Sequence, residues 1–150
     1  IGIESGSASV LRSMKKSPDL EPVRIAARML NKVGFYWGAY FVFGTPEETP
    51  ESIQETLRFI EEIDPPFVTV ARYSPIPGTS FYLQLEEAGR IHPDIDWSCE
   101  TNQRLSTDYT LRMSPDEFEP IMREVSSQMM ARNDAKSAQL GAHDGRLKPT

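Results

Sequence analysis

Three short stretches hold the residues whose types and spacing could do chemistry: Glu4-Ser5-Gly6-Ser7, Gly44-Thr45-Pro46-Glu47-Glu48 and Tyr73-Ser74-Pro75-Ile76-Pro77-Gly78. In the first, a carboxylate ends an apolar run. At neutral pH it only accepts hydrogen bonds, and it can accept two at once. Its natural complement is a pair of neighbouring hydroxyls, such as a ribose diol. Beyond it, a glycine and a helix start leave backbone N–H groups free to meet a carboxylate or phosphate. Gly44 and Gly78 remove side chains where a flat ligand could approach the backbone. Pro46, Pro75 and Pro77 stiffen their loops and lower the entropy lost in holding them. Such a set suits a nucleoside better than a bare anion.

These stretches need elements that bring them to one place, and the sequence supplies an alternation of strands and helices. Residues 1–4 read as the end of a first strand, and Ser7 as the N-cap of a short helix bearing Val10, Leu11 and Met14. Ser17-Pro18-Asp19 restarts a helix with a hydroxyl cap, a proline and an acid. Val23, Ala26, Ala27 and Leu30 follow at helical spacing, and Gly34 is a stop. The run FYWGAYFVFG at 35–44 is apolar on both alternating faces, as a strand covered on both sides should be, with Tyr36, Trp37 and Tyr40 read as core. Thr49-Pro50-Glu51 opens a helix with Ile53, Leu57 and Ile60 buried, Asp64-Pro65-Pro66 ends it, and FVTVA at 67–71 is a third strand. Two successive βαβ units predict parallel strands with right-handed crossovers. The three candidate stretches then share the C-terminal rim of the sheet, where α/β proteins bind ligands. After Ser80 a short helix at 81–88 ends at Gly89. An irregular stretch follows, and Ser114-Pro115-Asp116-Glu117 forms a capping box before the stripe Phe118, Ile121, Met122, Val125, Met129. From Asn133 onward the chain is polar and aperiodic and reads as a disordered tail.

The 150 residues, 39% hydrophobic and 25% charged, fit one soluble domain with a real core. A net charge of -6 argues against unaided binding to nucleic acid or anionic membrane, and no apolar run is long enough to span a bilayer as a helix. The one cysteine, Cys99, leaves no internal disulfide and fits a reducing compartment, taken as the cytoplasm. Plainer roles stand beside the chemical ones. Glu4 could be a structural partner of Arg72; Ser7, Thr49 and Ser114 read as caps; Glu47, Glu48 and Glu51 read as solvated acids at a helix N-terminus. His92 and His143 lack partners at metal-ligand spacing, so no metal site is expected within the chain.

In order and spacing, IGIESGS, GAYFVFGTPEET and YSPIPGTSFY resemble the second half of a radical S-adenosylmethionine domain. The branch most similar holds cobalamin-binding radical enzymes and radical methylthiotransferases, and Asp96-Trp97 resembles the region after the last strand there. The resemblance implies an α/β fold that is the C-terminal half of a partial (β/α)6 TIM-like barrel. Strands four to six would fall within residues 1–85, a mostly helical extension at 86–132 and a tail at 133–150. It also implies that Glu4 contacts the ribose of S-adenosylmethionine with Ser5 or Ser7 helping, that Phe43, Gly44 and Pro46 lie by the adenine, and that Tyr73, Ser74 and Pro75 line the same pocket.

Such enzymes cleave S-adenosylmethionine to a 5′-deoxyadenosyl radical with a [4Fe–4S] cluster held by a CxxxCxxC loop, which this chain lacks. The resemblance therefore implies a C-terminal piece whose partner is the N-terminal half of the same enzyme. No catalytic side chain is assigned, a small-molecule or lipid-like substrate is expected, and methyl transfer through cobalamin is left open. A non-catalytic fragment or interaction module that keeps the scaffold, and another parallel α/β enzyme with a nucleotide cofactor, are the alternatives.

Overall fold

A computed structural model describes residues 1–91 and 108–144, with residues 140–144 as backbone only. Its elements are β1 (Gly2–Glu4), α1 (Ala8–Ser13), α2 (Glu21–Lys32), β2 (Gly38–Phe43), α3 (Pro50–Ile63), β3 (Phe67–Arg72), α4 (Ser80–Glu87) and α5 (Pro115–Asp144). The strands form one parallel sheet in the order β1-β2-β3, with β2 and β3 in unbroken register from Gly38↔Phe67 to Phe43↔Arg72. This is an α/β architecture, a three-stranded portion of the kind found in α/β barrels, followed by a long C-terminal helix.

Local chemistry accounts for most boundaries. Helix α3 begins on a reciprocal box in which Ser52 N donates to Thr49 Oγ1 and Thr49 N donates to Ser52 Oγ. It ends at Asp64 in the left-handed region, φ 42°. Helix α5 opens on a second box between Ser114 and Glu117. Helix α2 starts later than its Ser17-Pro18 signal: Asp19 Oδ1 accepts from Glu21 N, and Leu20 takes the cap position. Ser7 occupies the N-cap of α1, but its hydroxyl makes no capping bond.

Ala39, Phe41 and Phe43 on one face of β2 pack with Ile3, Val68 and the apolar stripe of α3 in a single core. The opposite face of β2 is open. Trp37 is buried as expected, whereas Tyr36 and Tyr40 are 59% and 50% exposed, because no element among the described residues covers that side. The two-faced apolar character of 35–44 thus reflects one buried face and one aromatic face left bare.

The segment from Asn133 onward differs more. It continues α5 without a break to Asp144. Asn133 Nδ2 donates to Val68 O at 2.8 Å, and Val68 N donates to Asn133 Oδ1 at 2.9 Å, so one amide satisfies both backbone groups of Val68 at the edge of β3. Arg132 and Lys136, one turn apart, both bind Asp64. Long-range bonds to a strand edge order a segment that has no apolar period of its own. His92, Asp96, Trp97 and Cys99, the irregular stretch around them and the last residues of the tail lie outside the described residues, as does the side chain of His143.

Candidate functional site

The three loops that follow β1, β2 and β3 share the C-terminal rim of the parallel sheet. At the first, Glu4 has φ 73°, a left-handed conformation that costs an L-residue roughly 1–2 kcal/mol. The β1–β2 register breaks between Gly2 and Glu4, which locates the distortion. The carboxylate is partly exposed and accepts from Lys16 Nζ at 2.8 Å. Its Oε1 lies where a Cβ on Gly2 would come within 2.9 Å, so that glycine makes its room. Arg72 is not its partner: that guanidinium is buried, forks onto Glu119 and lies over the Phe118 ring.

Ser5 and Ser7 turn inward. Ser5 Oγ bonds Thr56 Oγ1 at 3.0 Å and accepts from Ser7 N, while Ser7 Oγ bonds Ser9 Oγ. Gly6 lies so close to α3 that an added Cβ would meet Phe59 Cβ at 2.5 Å and Thr56 Cα at 2.8 Å. This tripeptide seats the loop on α3, and its hydroxyls are committed to the protein.

At the second loop, Gly44 has φ 86°, and a Cβ there would sit 2.7 Å from Phe118 Cζ. Gly44 N donates to Glu48 Oε2 at 3.3 Å, and Ser52 Oγ donates to Glu48 Oε1 at 2.7 Å. Glu48 is 1% exposed, and burial pushes its carboxyl up to about 7 against the pull of these donors. A solvated role is therefore wrong for Glu48. It holds for Glu51, which is exposed in the first turn of α3. Nothing in the string Pro-Glu-Glu-Thr separates the two adjacent acids; only the turn back onto Gly44 does. Glu47 accepts from Arg112 and Gln84, which hold its carboxyl below the usual range, Arg112 contributing most. Phe43 is a core side chain, and its carbonyl accepts from Tyr73 N at 2.7 Å. Pro46 is buried with its carbonyl bonded to Leu111 N.

At the third loop, the Tyr73 ring meets Phe81 and Tyr109 edge-on, at centroid distances of 5.5 Å and 6.4 Å, and burial raises its phenol. Ser74 is half-buried and Pro75 buried. A cavity of about 280 Å³ lies against Tyr73, Met14, Ile76 and Phe81. A larger, more polar one of about 630 Å³ lies between α1, Glu47, Thr49, α4 and Arg112, and the two share Ser13, Ser80 and Phe81 as walls. The rim therefore brings together one strained carboxylate, an aromatic wall and two adjoining cavities. Lys15, Lys16, Gln84 and Arg112 were not singled out by sequence reasoning. Lys16, Gln84 and Arg112 act across distances of 12 to 65 residues in the chain, where no short motif could show them.

No family model matches the chain. It is 29% identical over 98 residues to the bacteriochlorophyllide d C-12(1)-methyltransferase of Chlorobaculum tepidum, covering 65% of this chain and 21% of that enzyme. To the hopanoid C-2 methylase of Rhodopseudomonas palustris it is 24% identical over 117 residues, 77% of this chain and 22% of the relative. To the ribosomal protein uS12 methylthiotransferase RimO of Leptospira biflexa it is 33% identical over 75 residues, 49% and 17% respectively. The chain spans about a fifth of the length of these relatives, and what it shares with them is a segment of methyltransferases and methylthiotransferases.

Proposed function

We propose that this chain is the S-adenosylmethionine-binding portion of a cytoplasmic radical S-adenosylmethionine methyl- or methylthiotransferase, with residues 1–85 as the barrel portion and the rest as its extension. The observation that carries the reading is Glu4: a carboxylate held in a disfavoured backbone conformation at a strand end, where strain persists only if its surroundings enforce it. The similarity to methyl- and methylthiotransferases supports the same reading.

The residues at the rim fit a nucleoside in part. Glu4 keeps one oxygen beyond its bond to Lys16 and can accept from ribose hydroxyls. Tyr73 lines the smaller cavity and can wall a flat base, and Ser74 and Pro75 follow it in the same loop. Ser5 and Ser7 are spent on α3 and α1, and the Gly44 N–H is spent on Glu48, so these three act by shaping the loops. When bound, S-adenosylmethionine and a [4Fe–4S] cluster supply the radical chemistry. One cysteine cannot ligate such a cluster, so its thiolates belong to the N-terminal half, which would extend the sheet along β1. This chain's residues orient the nucleoside and keep water from it. Cobalamin-dependent methyl transfer belongs to this proposal as the finer step.

Equilibrium dialysis of S-adenosylmethionine against the full-length protein tests it. Glu4→Gln removes the charge from one or two hydrogen bonds, each worth roughly 1.5–3 kcal/mol, and affinity should fall by at least about tenfold. Unchanged affinity in a folded variant would make Glu4 structural and refute the reading.

A further inference from the structure

Helix α2 carries two apolar faces, and the core uses only one of them. Ala27 is buried, with Val23 and Leu30 packed against the same core. Ile25 and Met29 each stand two residues from Ala27, so at about 100° per residue each points about 160° away from it. They are 47% and 64% exposed, and Val33 at the helix end is 74% exposed. A strand added beside β1 would not cover them. A right-handed crossover places its helix on the same face of the sheet, against the flank of α2, and leaves the outward side bare.

The residues beside this stripe are arranged about one centre. Glu21 and Lys32 lie on one flank, about 120° and 140° from Ala27, and Pro22 and Val33 lie on the other. Lys32 has no carboxylate partner among the described residues. Glu21 Oε1 accepts from Arg28 at 2.9 Å, whereas Oε2 has only the Arg24 guanidinium at 3.8 Å, beyond hydrogen-bond reach. Glu21 and Lys32 are centred between residues 26 and 27, and Ile25 and Met29 on residue 27. A two-fold axis crossing α2 there lays a second copy antiparallel on the first. Ile25 then meets the partner's Met29, Glu21 meets the partner's Lys32, and each contact occurs twice. A parallel pairing would set like charges side by side.

We propose that the outward face of α2 is a self-association surface on which a second copy of this protein docks antiparallel. The apolar seam supplies the contact, and the two Glu21–Lys32 pairs set its direction. The surface does not depend on the function proposed above. A helix of 12 residues is about 18 Å long and presents a small area, so the dimer is a weak one.

Sedimentation equilibrium of the full-length protein tests it. Reversible association to a dimer is expected. Met29→Glu should weaken it by at least about tenfold while leaving the urea midpoint unchanged, because the side chain is turned to solvent in the single chain. Ile25→Glu, with the same expected loss, probes the seam a second time. Glu21→Lys and Lys32→Glu should each weaken association when measured alone. An equimolar mixture of those two variants should restore it, because the mixed dimer has an opposite-charge pair at both contacts. Absence of association up to about 1 mM gives the face to a different partner and overturns the proposal. Association that survives both Met29→Glu and Ile25→Glu overturns it too, as does a mixture no stronger than its components. Failure to bind S-adenosylmethionine would end the proposed function and leave these results standing.

Discussion

Glu48 should make the protein's stability fall as pH rises from 4.5 to 7, and Glu48→Gln should abolish that component. The carboxyl is 1% exposed and is pushed from its ordinary 4.5 to about 7, chiefly by burial. Below 4.5 it is protonated in both folded and unfolded chains and contributes no slope. Between 4.5 and 7 the unfolded chain releases the proton while the native chain keeps it, so unfolding becomes easier with each step in pH. Above 7 both forms are ionised and the slope vanishes. At about 1.4 kcal/mol per pH unit, the full effect is about 3 kcal/mol. Glu47, Glu62 and Glu119, whose carboxyls are held low, act with the opposite sign and below this window.

Glutamine reproduces the protonated acid closely. Its Oε1 can accept from Gly44 N, and its amide can donate to Ser52 Oγ, which still donates to Thr49 O. Urea denaturation of the two proteins at steps from pH 4.5 to 8.5 isolates the group, because every other titration cancels in the difference. The variant should gain on the parent by about 3 kcal/mol across the window, or about 6–12 °C in Tm for a chain of this size. Parallel stability curves would refute the argument from burial. A Glu48 carboxyl titrating near 4.5 in a ¹³C NMR experiment would refute it independently.

Asn133→Leu strips both partners from Val68 at the edge of β3 and should cost about 1–3 kcal/mol, read as a lower urea midpoint with faster exchange of the Val68 amide. Gly44→Ala should cost more than about 2 kcal/mol, since the new methyl meets Phe118 and φ 86° disfavours it. Adding Phe118→Leu should recover the steric part of that loss and not the backbone part, measured as non-additivity in the same denaturation assay. Glu4→Gly should raise stability by about 1 kcal/mol by relieving φ 73° and, under the function proposed above, should also weaken S-adenosylmethionine binding in the same dialysis assay.

Legibility followed how local each determinant is. Helix α3 could be read because its signals, Thr49-Pro50-Glu51 and the stripe Ile53, Leu57, Ile60, lie within about three turns, although Leu57 is only partly buried and Phe59 is the residue that joins the core instead. The rim was legible because parallel βαβ grammar alone places three loops together. Tyr40 misled, since an exposed aromatic face and a buried one have the same composition. Glu48 was misread because its burial depends on a turn that points one acid inward and leaves its neighbour Glu47 to Arg112, 65 residues away. Asn133 carried no signal at all: its worth lies in meeting a strand edge 65 residues upstream.

The two edges of the sheet make an argument together that neither makes alone. A parallel edge strand offers a row of unpaired donors and acceptors, which proteins cover or pair. At β3 the cover is built in: Asn133 takes both edge groups of Val68, and Arg72 reaches across to Glu119 on the same helix. Among the described residues no strand pairs with the other side of β1, and the face of β2 bearing Tyr40 is bare. A helix that seals one edge with specific side-chain bonds directs any further strand to the opposite one. The strained Glu4 stands on that same β1 strand, between the sealed half and the open one. Under the function proposed above, a strand added there would run beside the carboxylate that Lys16 now holds, and would bring the two proposed halves together at Glu4.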